Sequence, residues 1–174
     1  MRDALLNERG ILAMKSRGLA AAERYVTLSI MLTPSPLLAE WAESNPFFRR
    51  VVFTTPEKQW VLMSVVPGEE IGKETHKHVR QTFYFVSGHG LAMIGKDADP
   101  MIVSAGDMVT IAPGTTHNFI TTGDRPLKLY TTYEPPNHID GRVHETKRAA
   151  DRDAMDEAFG ERVDDPKKAR RRSR

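Results

Sequence analysis

From Val51 onward, apolar and polar positions change over in short runs and not in helical stripes. VVFTT, QWVLMSVV, TFYFVSG, LAMIG, MIVSAG, DMVTIA, HNFITTG and LKLYTTY are rich in β-branched and aromatic residues. Turn material separates them: Pro67-Gly68, Ser87-Gly88, Asp97 to Pro100, Gly106-Asp107, Pro113-Gly114 and Gly123-Asp124. Strand-length runs with turns every eight to twelve residues or so, and no helical pattern between, predict an antiparallel sandwich or barrel. The flanks differ. ALLNERGILAMK and GLAAAERYVTLSIML mix apolar and charged positions with few internal breakers, so helix is expected through 1–45. Pro34 and Pro36 stop the second of these segments, and LLAEWAES predicts a short helix after them. Beyond Tyr133, EPPNHIDGRVHETK reads as an extended, proline-containing connector and KRAADRDAMDEAFGERV as a polar, exposed helix. The expected organisation is mainly β: an N-terminal helical extension over 1–45, a β-barrel over 46–140, a polar C-terminal helix over 141–162 and a disordered basic tail over 163–174.

Composition narrows this picture. The 174 residues suit one domain with a real core, and a hydrophobic share of 40% leaves some of the length outside it. Without cysteine there is no disulfide or thiolate metal site, so any transition metal must be held by nitrogen and oxygen. The N-terminus lacks the pattern of a cleaved leader, and the longest apolar stretch carries Glu23 and Arg24, so a soluble, cytoplasmic protein is expected. The net charge of +2 is uneven. KKARRRSR, residues 167–174, holds six of the 25 basic residues and no acid; the other 19 face all 23 acids, giving −4. Contact with nucleic acid or another anionic partner is thus expected only through 167–174, and an extended DNA footprint is disfavoured.

The candidate chemistry lies in ETHKHVRQTFYFVSGHG and GDMVTIAPGTTHNF. On an extended strand Glu74, His76 and His78 share one face, and two inward imidazoles make half a site for a divalent metal. His117 follows a glycine turn, a strand and the Pro113-Gly114 turn. Together these stretches, over about residues 60–133, resemble the cupin family, whose motifs are G-x5-H-x-H-x3,4-E-x6-G and G-x5-P-x-G-x2-H-x3-N. Gly68 lies seven residues before His76, and counting back six residues from Gly88 puts Gln81 where the family has Glu. PPNHIDGRVHETK is similar to the tails of small bacterial cupins labelled sugar-phosphate-isomerase-like.

The resemblance implies a single jelly-roll β-barrel with a divalent metal (iron, manganese, nickel, zinc or copper) in its mouth, held by His76, His78, Gln81 and His117. Two alternatives stay open. Gln81 does not ligate, and Glu74 serves as a late ligand or as the catalytic base; or His78 turns outward, leaving His76 and His117 inside. Phe83 and Phe85 alternate with Gln81 and face the interior, where they form core and a wall against a bound small molecule. His89, in a Gly-His-Gly turn, is expected to be exposed. The functions that follow are a metal-dependent isomerase, with Glu74 moving a proton, or a three-histidine iron dioxygenase. The other class is a non-catalytic small-ligand module whose basic tail meets an anionic partner. A homodimer paired through an edge strand or the N-terminal arm is expected.

Overall fold

The structure, a computed structural model, describes residues 35–96 and 99–165, and the backbone of Leu5–Leu6 and Leu12–Ala13. The remainder of the predicted N-terminal helices and residues 166–174 of the basic tail lie outside the described residues, whereas Val163 and Asp164, expected in a disordered tail, are helical, Val163 packing on the core. Where helix was expected over ALLNERGILAMK, β1 (Leu5–Leu6) and β2 (Leu12–Ala13) pair antiparallel, Leu5 opposite Ala13 and Leu6 opposite Leu12. Asn7 and Gly10, between these two apolar pairs in the sequence, are turn-forming residues that disfavour a continuous helix. Among the described residues no helix is long and apolar enough to cross a membrane.

Each of the eight predicted β runs contains a strand: β3 (Arg49–Thr54), β4 (Gln59–Val65), β5 (Arg80–Ser87), β6 (His89–Ile94), β7 (Met101–Ser104), β8 (Met108–Ile111), β9 (His117–Thr121) and β10 (Leu127–Glu134). A ninth, β11 (Val143–His144), comes from the segment read as a connector and pairs with β3. They form two antiparallel sheets in the orders β11-β3-β4-β10-β5-β8 and β7-β6-β9, which is the expected jelly roll. Residues 70 and 74 extend the smaller sheet through isolated bridges to Ile120 and His117 on β9.

The core sits between the sheets, filled by alternate positions: Phe83 and Phe85 of β5, Phe119 of β9, Leu127 and Leu129 of β10, with Val61, Met63 and Val65 of β4. Phe83 and Phe119 pack with ring centroids 4.3 Å apart. Burying each such ring contributes about 1.5–3 kcal/mol. Toward one end of the barrel the same inward stripes turn polar. Gln81 follows Phe85 and Phe83 in the inward row of β5, His117 precedes Phe119 on β9, and Tyr133 ends the inward row of β10; all three are buried. This end is the mouth. The opposite surface of the larger sheet is covered by α1 (Ser35–Ser44), the predicted short helix, through Leu38 and Ala42 on Trp60 and Leu62.

The predicted C-terminal helix is two pieces, α2 (Lys147–Ala150) and α3 (Ala154–Asp164). The break comes where Asp153 caps α3, its carboxylate accepting from the N–H groups of Met155 and Asp156. Nor is α3 exposed all round: Asp156 is buried, and the helix lies against the barrel mouth.

Candidate metal centre

Local backbone geometry brings the site together. Pro113 and Gly114 form a turn closed by the Thr115 N–H to the Ala112 carbonyl at 3.1 Å, with Gly114 at φ 81°, a conformation that favours glycine. The Gly114 N–H in turn donates to the His76 carbonyl at 2.6 Å. Glu74 and His117 exchange two backbone hydrogen bonds of 2.9 Å, so their side chains start from directly opposed positions. Donor atoms of Glu74, His76 and His117 consequently lie within 4.8 Å of one another. Gln81 completes the floor, its Oε1 3.0 Å from His117 Nε2.

The hydrogen-bond roles define the chemistry of this arrangement. His117 Nδ1 lies 3.0 Å from the Thr115 carbonyl, which only accepts, so Nδ1 carries the hydrogen. Burial holds the His117 imidazole below its ordinary value and therefore neutral at pH 7. Its Nε2 is thus a lone pair, and it faces two more acceptors, Gln81 Oε1 and, at 3.9 Å, Glu74 Oε2. Three acceptors converging in a buried place fit a cation between them. His76 Nε2 stands 3.4 Å from the same Glu74 oxygen. Separations of 3.0–3.9 Å are close to the edges, about 3.0–3.4 Å, of a coordination shell with bonds near 2.1 Å. Two imidazoles, one carboxylate and one amide oxygen suit a first-row divalent metal.

Glu74 is held ready as an anion. Burial pushes its carboxyl up, but the His76 hydrogen bond and the charges of Arg49, His76 and His117 outweigh this and bring it to about 2. Arg49 Nη2 takes the other carboxylate oxygen, Oε1, at 3.4 Å. For His76, burial pulls down, whereas Glu74 and Asp164 push up and win, so its value is raised. Burial pushes the Tyr133 hydroxyl far up, leaving it neutral.

In front of the donors opens a cavity of about 680 Å³ between residues 70–77 and the C-terminal helices. Glu74 and His76 reach it directly, together with Arg49, Asn137, His138, Asp156 and Asp164. None of the last five was singled out from sequence, apart from His138, whose segment was read as a connector. The available signal was a matched set: Asp153, Asp156 and Asp164 downstream of His138 and His144, at helical spacing.

Of the predicted ligands, the structure brings His76, His117 and Gln81 together with Glu74, which the sequence offered as an alternative donor. His78 is not among them. The backbone bends at residues 77–78, which breaks the strand alternation; Val79 turns inward in its place and His78 is exposed. Phe83 and Phe85 are core residues outside the cavity lining, with the Phe83 ring 5.7 Å from that of His117, which it supports from behind. His89 is exposed, as expected. The placement of Glu74 also resolves the motif spacing. Gly68-x5-Glu74-x-His76-x4-Gln81-x6-Gly88 and Gly106-x5-Ala112-x-Gly114-x2-His117-x3-Thr121 carry the family intervals without a gap. Glu74 stands in the place of the first His, Gln81 of Glu, Ala112 of Pro and Thr121 of Asn.

Comparison with known proteins agrees with this architecture. A model of the cupin domain matches residues 61–133. The Bacillus subtilis protein YrkC is 41% identical over 112 residues, 62% of this chain and 60% of that protein. A protein of Acanthamoeba polyphaga mimivirus is 38% identical over 101 residues, 57% of this chain and 63% of its own length. The chain therefore spans less than two thirds of either relative. The crystal structure of BH2720 from Bacillus halodurans is 40% identical and superposes with a TM-score of 0.63, covering 64% of this chain and 88% of that one. Shared sequence, shared jelly roll and gap-free motif spacing lead to one conclusion: the chain belongs to the cupin family.

Proposed function

We propose that this cupin binds a divalent transition metal through Glu74, His76, His117 and the Gln81 amide oxygen, and acts as a metal-dependent enzyme on a small molecule held in the adjoining cavity. The observation that carries this reading is the convergence of the His117 Nε2 lone pair with the Glu74 and Gln81 oxygens. A bound ion there supplies a Lewis acid with open positions. Two imidazoles and one carboxylate are the donor set of non-haem iron oxygenases, which favours oxidative chemistry. Isomerisation needs Glu74 as a base, and a carboxyl held at about 2 beside Arg49 takes up a proton poorly.

The cavity also speaks to the substrate. Eight carboxylates and four Lys/Arg side chains line it, a balance of −4 that a divalent ion reduces only to −2. A phosphorylated sugar is disfavoured by this field, and a neutral or cationic polar molecule is favoured. The test is metal content after purification from iron- and manganese-supplemented medium, followed by oxygen uptake of the iron-loaded protein with neutral and cationic polar compounds. About one equivalent of metal is expected, lost in His76→Ala and His117→Ala. Metal no higher than in those variants defeats the ligand assignment, and metal binding without oxygen uptake defeats the oxidative reading.

A further inference from the structure

Resting on the metal reading above, we propose that Asp164, at the C-terminal end of α3, is a positioning residue of the metal centre: it accepts the Nδ1 hydrogen of His76, so that Nε2, the nitrogen beside Glu74, is the one left to bind a metal. The two histidines need such help unequally. His117 has its tautomer set by the Thr115 carbonyl, two residues away. At His76 Nδ1, among the described residues, the acceptor is Asp164 Oδ2, at 3.2 Å, supplied from 88 residues down the chain. The other Asp164 oxygen accepts the His78 N–H at 3.3 Å, so the carboxylate spans the bend that throws His78 outward.

The arrival of Asp164 at this point is built in. Positions 153, 156, 160 and 164 follow the three-and-four spacing of one helix face. Asp153 meets His144 Nε2 at 3.0 Å and Asp156 meets His138 Nδ1 at 2.7 Å. At Gly160 an added Cβ would lie 3.2 Å from the Asn137 carbonyl oxygen, so α3 presses closely on that segment. Two anchors and a close approach thus fix the helix before its last residue reaches His76. Asn137 Nδ2 also stands 3.4 Å from His76 Nδ1. Once Asp164 is gone, this amide is free to donate to Nδ1, which moves the imidazole hydrogen to Nε2 and removes the lone pair from the metal side.

The test is a Co(II) titration of the full chain, read by visible absorption, with imidazole ¹⁵N shifts reporting the His76 tautomer in the metal-free protein at a pH high enough for that imidazole to be neutral. Wild type is expected to bind and His117→Ala not to. Asp164→Asn should bind about 10–100-fold more weakly and shift His76 toward the Nε2–H form. Asp164→Glu, which keeps a carboxylate, should recover most of the affinity. Glu145→Gln removes an exposed charge outside the cavity lining and should change affinity less than about twofold. Thermal melts confirm that each variant is folded. If Asp164→Asn binds as tightly as wild type, or binds weakly with an unchanged tautomer, the positioning role is wrong while the metal reading stands. If wild type does not bind, both fall.

Discussion

At position 81 a buried amide carries its oxygen toward His117 Nε2 at 3.0 Å and leaves its nitrogen without a hydrogen-bond partner. An unpartnered buried N–H costs about 1–3 kcal/mol. A carboxylate at this position would answer the cation better and the empty site worse. Without metal, Gln81→Glu places a second anion in a fully buried position beside Glu74, and an uncompensated buried charge costs about 3–5 kcal/mol. With metal, the added charge and basicity should tighten binding by about tenfold or more. Thermal melts with and without saturating Mn(II) are therefore expected to change sign: the variant melts lower than wild type when metal-free and higher when loaded. The same downward shift in both states would mean that residue 81 does not face the ion.

Among the elements, α3 shows how a polar segment can be structural. Its polar contacts to the barrel are mainly Asp–His pairs, joined by Arg49 on Asp156, and only Val163 of this helix packs against the apolar core. Asp156 carries the most, accepting from His138 at 2.7 Å and from the Ile139 N–H at 2.8 Å while buried itself. Asp156→Asn is expected to cost about 2–4 kcal/mol in urea unfolding, against about 0.5 kcal/mol for exposed Glu157→Gln. Equal losses would show that α3 is not held by this residue. The helix was legible in the sequence, but its buried face was not, because aspartates at 153, 156 and 164 look like a solvated stripe until their histidine partners are known. Strands β3 to β10 were legible for the opposite reason: alternation and turn residues are local, and burial of one face obeys them. In the site, His76 and His117 were legible from the turns that hold them. Glu74 as a donor and an outward His78 stood there only as alternatives, because His76-x-His78 draws the motif two residues late, and the bend at 77–78 decides that His78 leaves the face.

Over the whole molecule, most of the displaced ionisations among the described residues gather at the polar mouth, Lys128 and Tyr130 apart, and they shape how stability depends on pH. His117 and His138 have folded values lowered, by burial first in each case. Below about pH 6.5 the unfolded chain takes up protons that these two refuse in the fold, so stability falls as the pH drops through that window. His76 is raised; its contribution is complete below the unfolded value and is lost as the pH rises through the folded one, which offsets part of the fall. Glu74 and Asp156 are lowered, burial being outweighed by their imidazole and Arg49 partners. Their contribution is present above about pH 4, the unfolded value, and disappears as the pH falls toward the folded ones. For Glu74 the displacement to about 2 corresponds to about 3 kcal/mol, larger than a typical single hydrogen bond. The metal-free protein, melted at constant ionic strength from pH 8 to 3, should lose melting temperature gently below about 6.5 and steeply below about 4.5. In Glu74→Gln the steep limb should flatten while the gentle one persists, since the histidines remain. An unchanged acid limb in that variant would mean that the Glu74 anion, with Arg49 and the two imidazoles around it, does not supply the stability assigned to it, and that the mouth of the barrel is held by its backbone pairing alone.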